Sequence, residues 1–301
     1  MTRHLIMIAA ALLTLAAPAA QAALKVLACE PEWGALVQEL AGDKATLYVA
    51  TTGLQDPHHI QARPSLVAAA RGTDLLVCTG AELEVGWLPV LIRQSGNTAI
   101  QAGKPGNFEA ANFVPKLEVP ERLDRADGDV HAAGNPHIQT DPRNIALVAE
   151  ALARRLAELD PANAATYQAR TADFMTRWKA AIQRWQKQAA PLRGTPVVVQ
   201  HKAFPYMEQW LGLQQVAVLE PKPGVEPTST HLSTVLAGLQ ARPAKMILRA
   251  AYNDGRGAEW LAERTKLPIV VLPFTVGGND AAKDLFSLFD DTVQRLLKAL
   301  P

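Results

Sequence analysis

The chain is short of extremes. Lysine and arginine number 30 against 29 aspartates and glutamates, a formal charge of +1. No field of either sign therefore points to nucleic acid or to an anionic membrane surface as partner. Low-complexity tracts and short-period repeats are missing, and no large aromatic patch is signalled. Beyond the N-terminus no apolar run approaches the roughly 20 residues that a spanning helix needs. No Gly-x-Gly-x-x-Gly follows the first strand-like segment, and Gly277-Gly278 lacks the rest of a phosphate loop, so nucleotide binding is unsupported. There is also no His-Glu-x-x-His, the spacing that puts two zinc ligands and a general base on one helix face.

What is present begins with the N-terminus. Met1-Thr2-Arg3-His4 precedes an apolar run over 5–16 and a small-x-small ending at Ala20-Gln21-Ala22. This reads as a secretory signal over 1–22, too short to span a membrane. Loss of Arg3 takes the mature charge from +1 to 0. An exported, soluble protein is expected. Val26-Leu27-Ala28-Cys29 loosely resembles a lipoprotein processing site, but it lies past the small-x-small ending, and Lys25 separates it from the apolar run. Cys29 and Cys78 each end a predicted strand. A parallel sheet can make those ends neighbours, so a disulfide and two buried thiols both remain open.

Strand-like and helix-like segments alternate about every twenty residues on both sides of a long central stretch. Strands are predicted over 25–29, 45–50 and 74–78, then over 195–200, 215–219, 245–249 and 268–272. Helices fall between them at 32–41, 64–71, 87–94, 204–211, 230–240 and 257–265, with a closing helix over 281–300. Such alternation means parallel sheets with helices on their faces. Residues 101–136 are rich in Gly, Pro, Asn and Asp and read as irregular connection, with 124–135 a mobile loop. A helix follows Asp141-Pro142, with Ile145, Val148, Leu152 and Leu156 on one face.

The central stretch over 160–191 has Asp160 as cap, Pro161 at the first helical position and Pro191 as its end. Tyr167, Phe174, Trp178, Ile182 and Trp185 recur at helical spacing. About thirty residues give a rod of roughly 45 Å. The expected fold class is therefore α/β, with two parallel-sheet lobes (23–159 and 192–301) joined by one long rigid helix (160–191) and a site in the cleft between them.

The chain has seven histidines, and His4 leaves with the signal. His58 and His59 sit in a turn after the second strand, and His131 and His137 in a loop before a helix. His201 ends a strand, and His231 follows a helix cap. Strand C-termini in open α/β sheets are where ligands bind, and imidazoles from separate loops can converge on an ion such as Zn²⁺. His131 and His231 are the two whose placement is equally that of solvated surface residues. Asp56 reads either as a turn residue or as an outer partner to an imidazole.

The order Asp56-Pro57-His58-His59, Asn135-Pro136-His137 before Asp141-Pro142, Val198-Val199-Gln200-His201-Lys202-Ala203-Phe204-Pro205-Tyr206 and Leu267-Pro268-Ile269-Val270-Val271-Leu272-Pro273 resembles the zinc/manganese-binding periplasmic receptors of ABC importers. The resemblance spans essentially the whole mature chain. It implies a binding protein, not an enzyme, with His58, His137 and His201 as metal ligands. The fourth ligand of such receptors is usually an Asp after the last strand. That position falls in 273–276, where no carboxylate stands, so Asp280 is the nearest candidate, with Gly277-Gly278 to let the loop fold back. His59, Glu220 or a water are the alternatives.

Three imidazoles favour Zn²⁺ over Mn²⁺, which suits carboxylate oxygens. The resemblance further implies delivery to a cognate ABC permease in the inner membrane, with a periplasmic metallochaperone as a possible donor and a monomer as the working form. Affinity is expected to fall as pH drops through about 6.5, because imidazoles bind metal only when deprotonated. The resemblance also implies that the loop around His131 can collect metal near the cleft; a merely disordered loop is the reading preferred from the residues. The rival reading from another class is an exported zinc hydrolase, with three ligands and a metal-bound water. A surface adhesin on the same scaffold is a third.

Overall fold

The computed structural model describes residues 22–122, 128 and 131–300. All but the last residue of the signal read over 1–22, and residues 124–127 and 129–130 of the loop expected over 124–135, lie outside the described residues. Strands β1 (Leu24–Ala28), β2 (Ala45–Val49), β3 (Leu75–Cys78) and β4 (Asn107–Glu109) form one parallel sheet in the order β2-β1-β3-β4. Strands β5 (Pro196–Val199), β6 (Gln214–Val218), β7 (Met246–Ala250) and β8 (Ile269–Leu272) form a second in the equivalent order β6-β5-β7-β8. The α/β fold class expected from the alternation is the one observed. Strand β4 is an addition, a three-residue strand in a stretch read from sequence as irregular connection.

Helices α1 (Pro31–Ala41), α2 (Pro64–Arg71) and α3 (Leu88–Ser95) accompany the first sheet, and α6 (Pro205–Leu211), α7 (Ser229–Ala241) and α8 (Arg256–Thr265) the second. Between the sheets run α4 (Pro142–Leu159) and α5 (Ala164–Gln188), and the chain closes with α9 (Leu285–Lys298). Helix α4 starts as its sequence dictates: Pro142 occupies the first position and the Asp141 carboxylate accepts from the Arg143 N–H at 2.8 Å. Helix α9 starts later than its apolar pattern suggests. Asp284 and Ser287 make a reciprocal capping box there, which satisfies two backbone donors that a start at Ala281 would leave open.

The long helix is shorter than the rod expected. Its 25 residues correspond to about 37 Å, because Pro161–Asn163 forms a separate 3-10 turn and Ala190–Leu192 another at the far end. Asp160 does not cap it. Its carboxylate takes the Tyr167 hydroxyl at 2.6 Å and the Asn163 amide at 2.7 Å instead. One apolar face of α5 is fully buried. Phe174, Trp178 and Trp185 meet Phe286 and Phe289 of α9 at centroid distances of 4.9–6.5 Å. The Trp178 and Trp185 indoles donate to the Pro142 carbonyl and the Asp290 carboxylate. A single hydrophobic cluster thus runs from Val26 and Val77 in the first sheet, through α5, to Val197 and Leu248 in the second.

Adjacent strands β1 and β3 bring Cys29 and Cys78 together, and they form a disulfide with Cα atoms 4.8 Å apart. Beside it, at the same strand ends, three glutamates are buried. Glu30 and Glu84 converge on the Thr79 N–H, and Glu84 also accepts from Gly80. Burial, with the charges of Glu84 and Glu32 adding to it, pushes the Glu30 carboxyl well above the usual range. Burial likewise raises Glu32 and Glu84 to about 7.

Candidate metal centre

Each of the three histidines singled out in sequence is delivered to the cleft by its own local structure. His58 ends a turn in which Asp56 accepts from the His58 N–H at 3.0 Å, while the Trp87 indole holds the Pro57 carbonyl at 2.8 Å. His137 follows Asn135-Pro136, and the Asn135 side chain accepts from its backbone N–H at 3.0 Å. His201 stands two residues past β5. The last two motifs are tied to one another. Tyr206 donates its hydroxyl to the Asn135 carbonyl at 2.7 Å, and the Asn135 amide donates to the Lys202 carbonyl at 2.8 Å.

The result is a compact triangle. Ring centroids of His58, His137 and His201 lie 5.4, 5.4 and 5.8 Å apart, and one ligand atom from each falls within 4.8 Å of the other two. All three are at most 8% exposed. His58 Nδ1 is 2.7 Å from Asp56 and His201 Nδ1 is 2.7 Å from Glu220. Carboxylates on those nitrogens fix the tautomer, so that Nδ1 carries the proton and Nε2 the lone pair. The Nε2 atoms of His137 and His201 face each other at 3.3 Å, and that of His58 is buried with no hydrogen-bond partner. Three imidazole nitrogens thus converge in a buried space, the arrangement a Lewis acid satisfies.

The electrostatics agree. Burial, with the imidazoles of His201, His58 and His131 adding to it, holds His137 well below the usual histidine range, which favours the neutral form that a metal requires. Burial alone would raise Asp56, but the His58 hydrogen bonds and the charges of His58 and His59 keep it below the usual aspartate range.

Of the other candidates, Asp280 is not in the triangle and is exposed in the loop after β8. Glu220 is spent on the outer nitrogen of His201, where it also accepts from the Gly224 N–H at 2.9 Å. His59 is exposed. His231 bonds the Val218 carbonyl at 3.0 Å, away from the cluster. His131, for which the sequence leaves a solvated loop residue and a metal-collecting loop both open, stacks on His58 with centroids 5.4 Å apart and lines the same 200 Å³ cavity as His137 and His201. Only its nearness in sequence to the Asn-Pro-His motif signalled this.

The chain matches the family model "Zinc-uptake complex component A periplasmic" (ZnuA) over residues 26–299. It is 25% identical over 282 residues to the high-affinity zinc uptake system protein ZnuA of Paracoccus denitrificans, covering 83% of this chain and 82% of that protein. It is 23% identical over 258 residues to the manganese ABC transporter substrate-binding lipoprotein PsaA of Streptococcus pneumoniae, covering 84% and 80%. Among solved structures, a crystal structure of ZnuA superposes with a TM-score of 0.77 at 22% identity, covering 93% of this chain and all of that one.

Proposed function

This chain belongs to the ZnuA family, the metal-binding receptors of ABC importers, and from that premise we propose that it captures Zn²⁺ in the periplasm and hands it to its permease. Receptors of this family bind a divalent transition metal, interact with a cognate permease and carry out no reaction. The hydrolase reading is therefore set aside. The site agrees, since the carboxylates nearest the triangle, Asp56 and Glu220, are engaged on imidazole nitrogens and neither is left as a general base.

One observation supports the choice of zinc. The cluster gathers three buried imidazoles and no carboxylate oxygen, a donor set that suits zinc better than manganese, which favours oxygen. Manganese is the second reading, supported by the likeness to the manganese receptor at similar identity.

His58, His137 and His201 are the proposed ligands. The fourth position is open to two loop donors. His131 is already stacked at the cluster, whereas Asp280 joins it only if the loop from Gly277 swings inward. Cys29, buried in its disulfide, offers no sulfur for a lipid anchor, which supports a soluble periplasmic form, and a monomer is the working form proposed with it. A periplasmic metallochaperone is a further partner consistent with this role.

The test is metal content of stripped protein (residues 23–301) offered equimolar Zn²⁺, Mn²⁺ and Fe²⁺. One zinc per chain, lost in the His137→Ala/His201→Ala double variant, is expected. Preferential manganese uptake would overturn the metal assignment, and equal uptake by the double variant would overturn the site. His131→Ala and Asp280→Ala, compared by zinc affinity, separate the two fourth donors.

A further inference from the structure

Two of the three ligand imidazoles are held by carboxylates; the third is not. His137 Nδ1 is buried and has no hydrogen-bond partner. What its ring meets instead is the edge of Phe274, with centroids 5.5 Å apart and planes at 73°. Phe274 comes from the loop after β8 and is itself in an unusual state. Its φ is +67°, a left-handed conformation that is unfavourable for a bulky residue and persists only where the surroundings enforce it.

The enforcement comes from the other lobe. Thr275, the next residue, is buried, and its hydroxyl donates to the Glu32 carboxylate in the first turn of α1. Glu32 is 1% exposed. The following turn is pressed against the loop that carries His58. A Cβ on Gly53 would stand 2.4 Å from the main chain of Gly277 and Gly278, and one on Gly278 would stand 1.8 Å from the Pro273 carbonyl. Tyr252 and Phe204 close the remaining sides of the Phe274 ring at 5.2 and 6.2 Å.

We infer that Glu32, acting across the cleft through Thr275 and Phe274, is a positioning residue for His137. The acceptor in the first lobe pins a strained turn in the second, and that turn sets an aromatic wall against the one imidazole of the three whose Nδ1 has no polar partner. Without the Glu32–Thr275 hydrogen bond, Phe274 relaxes to negative φ and its ring leaves the imidazole edge. His137 is then free to rotate about its Cβ–Cγ bond, which takes Nε2 off the metal axis. The inference rests on His137 being a metal ligand.

Zinc affinity, measured by chelator competition at pH 8, tests it in Thr275→Val, Thr275→Ser and Glu32→Gln. Thr275→Val should bind one zinc about tenfold more weakly, the loss usual for an outer partner of a ligand. Thr275→Ser keeps the donor and Glu32→Gln keeps an oxygen acceptor, so both should stay within about threefold. If Thr275→Val does not fold, Glu32→Met/Thr275→Val removes both partners, avoids an unpaired buried carboxylate, and should show the same loss. In nitrogen-15 spectra of metal-free protein, the ring signals of His137 should shift in the weakened variant while those of His201 do not. Wild-type affinity and an unmoved His137 signal in a folded variant lacking the hydrogen bond would overturn the inference, leaving the contact merely structural. Wild-type zinc binding by His137→Ala would instead overturn the metal-centre reading beneath it.

Discussion

At the scale of single residues, the centre depends as much on Asp56 and Glu220 as on the imidazoles they hold. Each fixes a tautomer, so Asp56→Asn and Glu220→Gln should each weaken zinc binding by about 10–100-fold without changing the stoichiometry of one. Isothermal titration against a competing chelator reads this directly. Asp56 was legible in sequence as an outer partner because it lies two residues from His58. The role of Glu220 was not, since it stands 19 residues from His201 and meets it only because β5 and β6 are neighbours. The clustering of His58, His137 and His201 was legible through their motifs. For His131 two readings stayed open, because a loop residue with no periodicity carries little signal of its surroundings.

At the scale of elements, the decisive piece is α5. Trp178 is fully buried against Phe174, Trp185, Phe286 and Phe289 and donates to the Pro142 carbonyl. Trp178→Ala should therefore cost about 3–5 kcal/mol in urea unfolding, while the folded fraction still binds zinc. Its aromatic spacing made this helix readable from sequence. Its first turn was not, because the Asp160 carboxylate is taken by the side chains of Tyr167 and Asn163 and so does not serve the backbone donors that the capping rule assigns to it. Strand β4 was missed for a similar reason. Three residues with a single buried apolar side chain, Phe108, show no alternation, and only the neighbouring β3 makes them a strand.

At the scale of the whole molecule, the buried glutamates at the ends of β1 and β3 give the fold a pH dependence. A carboxyl raised by burial from 4.5 to about 7 is protonated in the folded chain while the unfolded chain has already lost its proton. Stability is therefore fully present below pH 4.5 and declines as pH rises through 7. For Glu32 the size is on the order of 3 kcal/mol. Metal-free wild type should lose about that much more stability between pH 4.5 and 8 than Glu32→Gln, compared by urea midpoints. Equal slopes would show that Glu32 ionises in the fold as it does in water.

The hydrophobic cluster that crosses from one sheet to the other through α5 also bears on motion. Lobes that share one interior cannot part without exposing it to water, and that exposure is unfavourable in proportion to the apolar area uncovered. A wide hinge opening therefore carries a large penalty in this molecule, and movement at the histidine cluster is left to the loops that carry it.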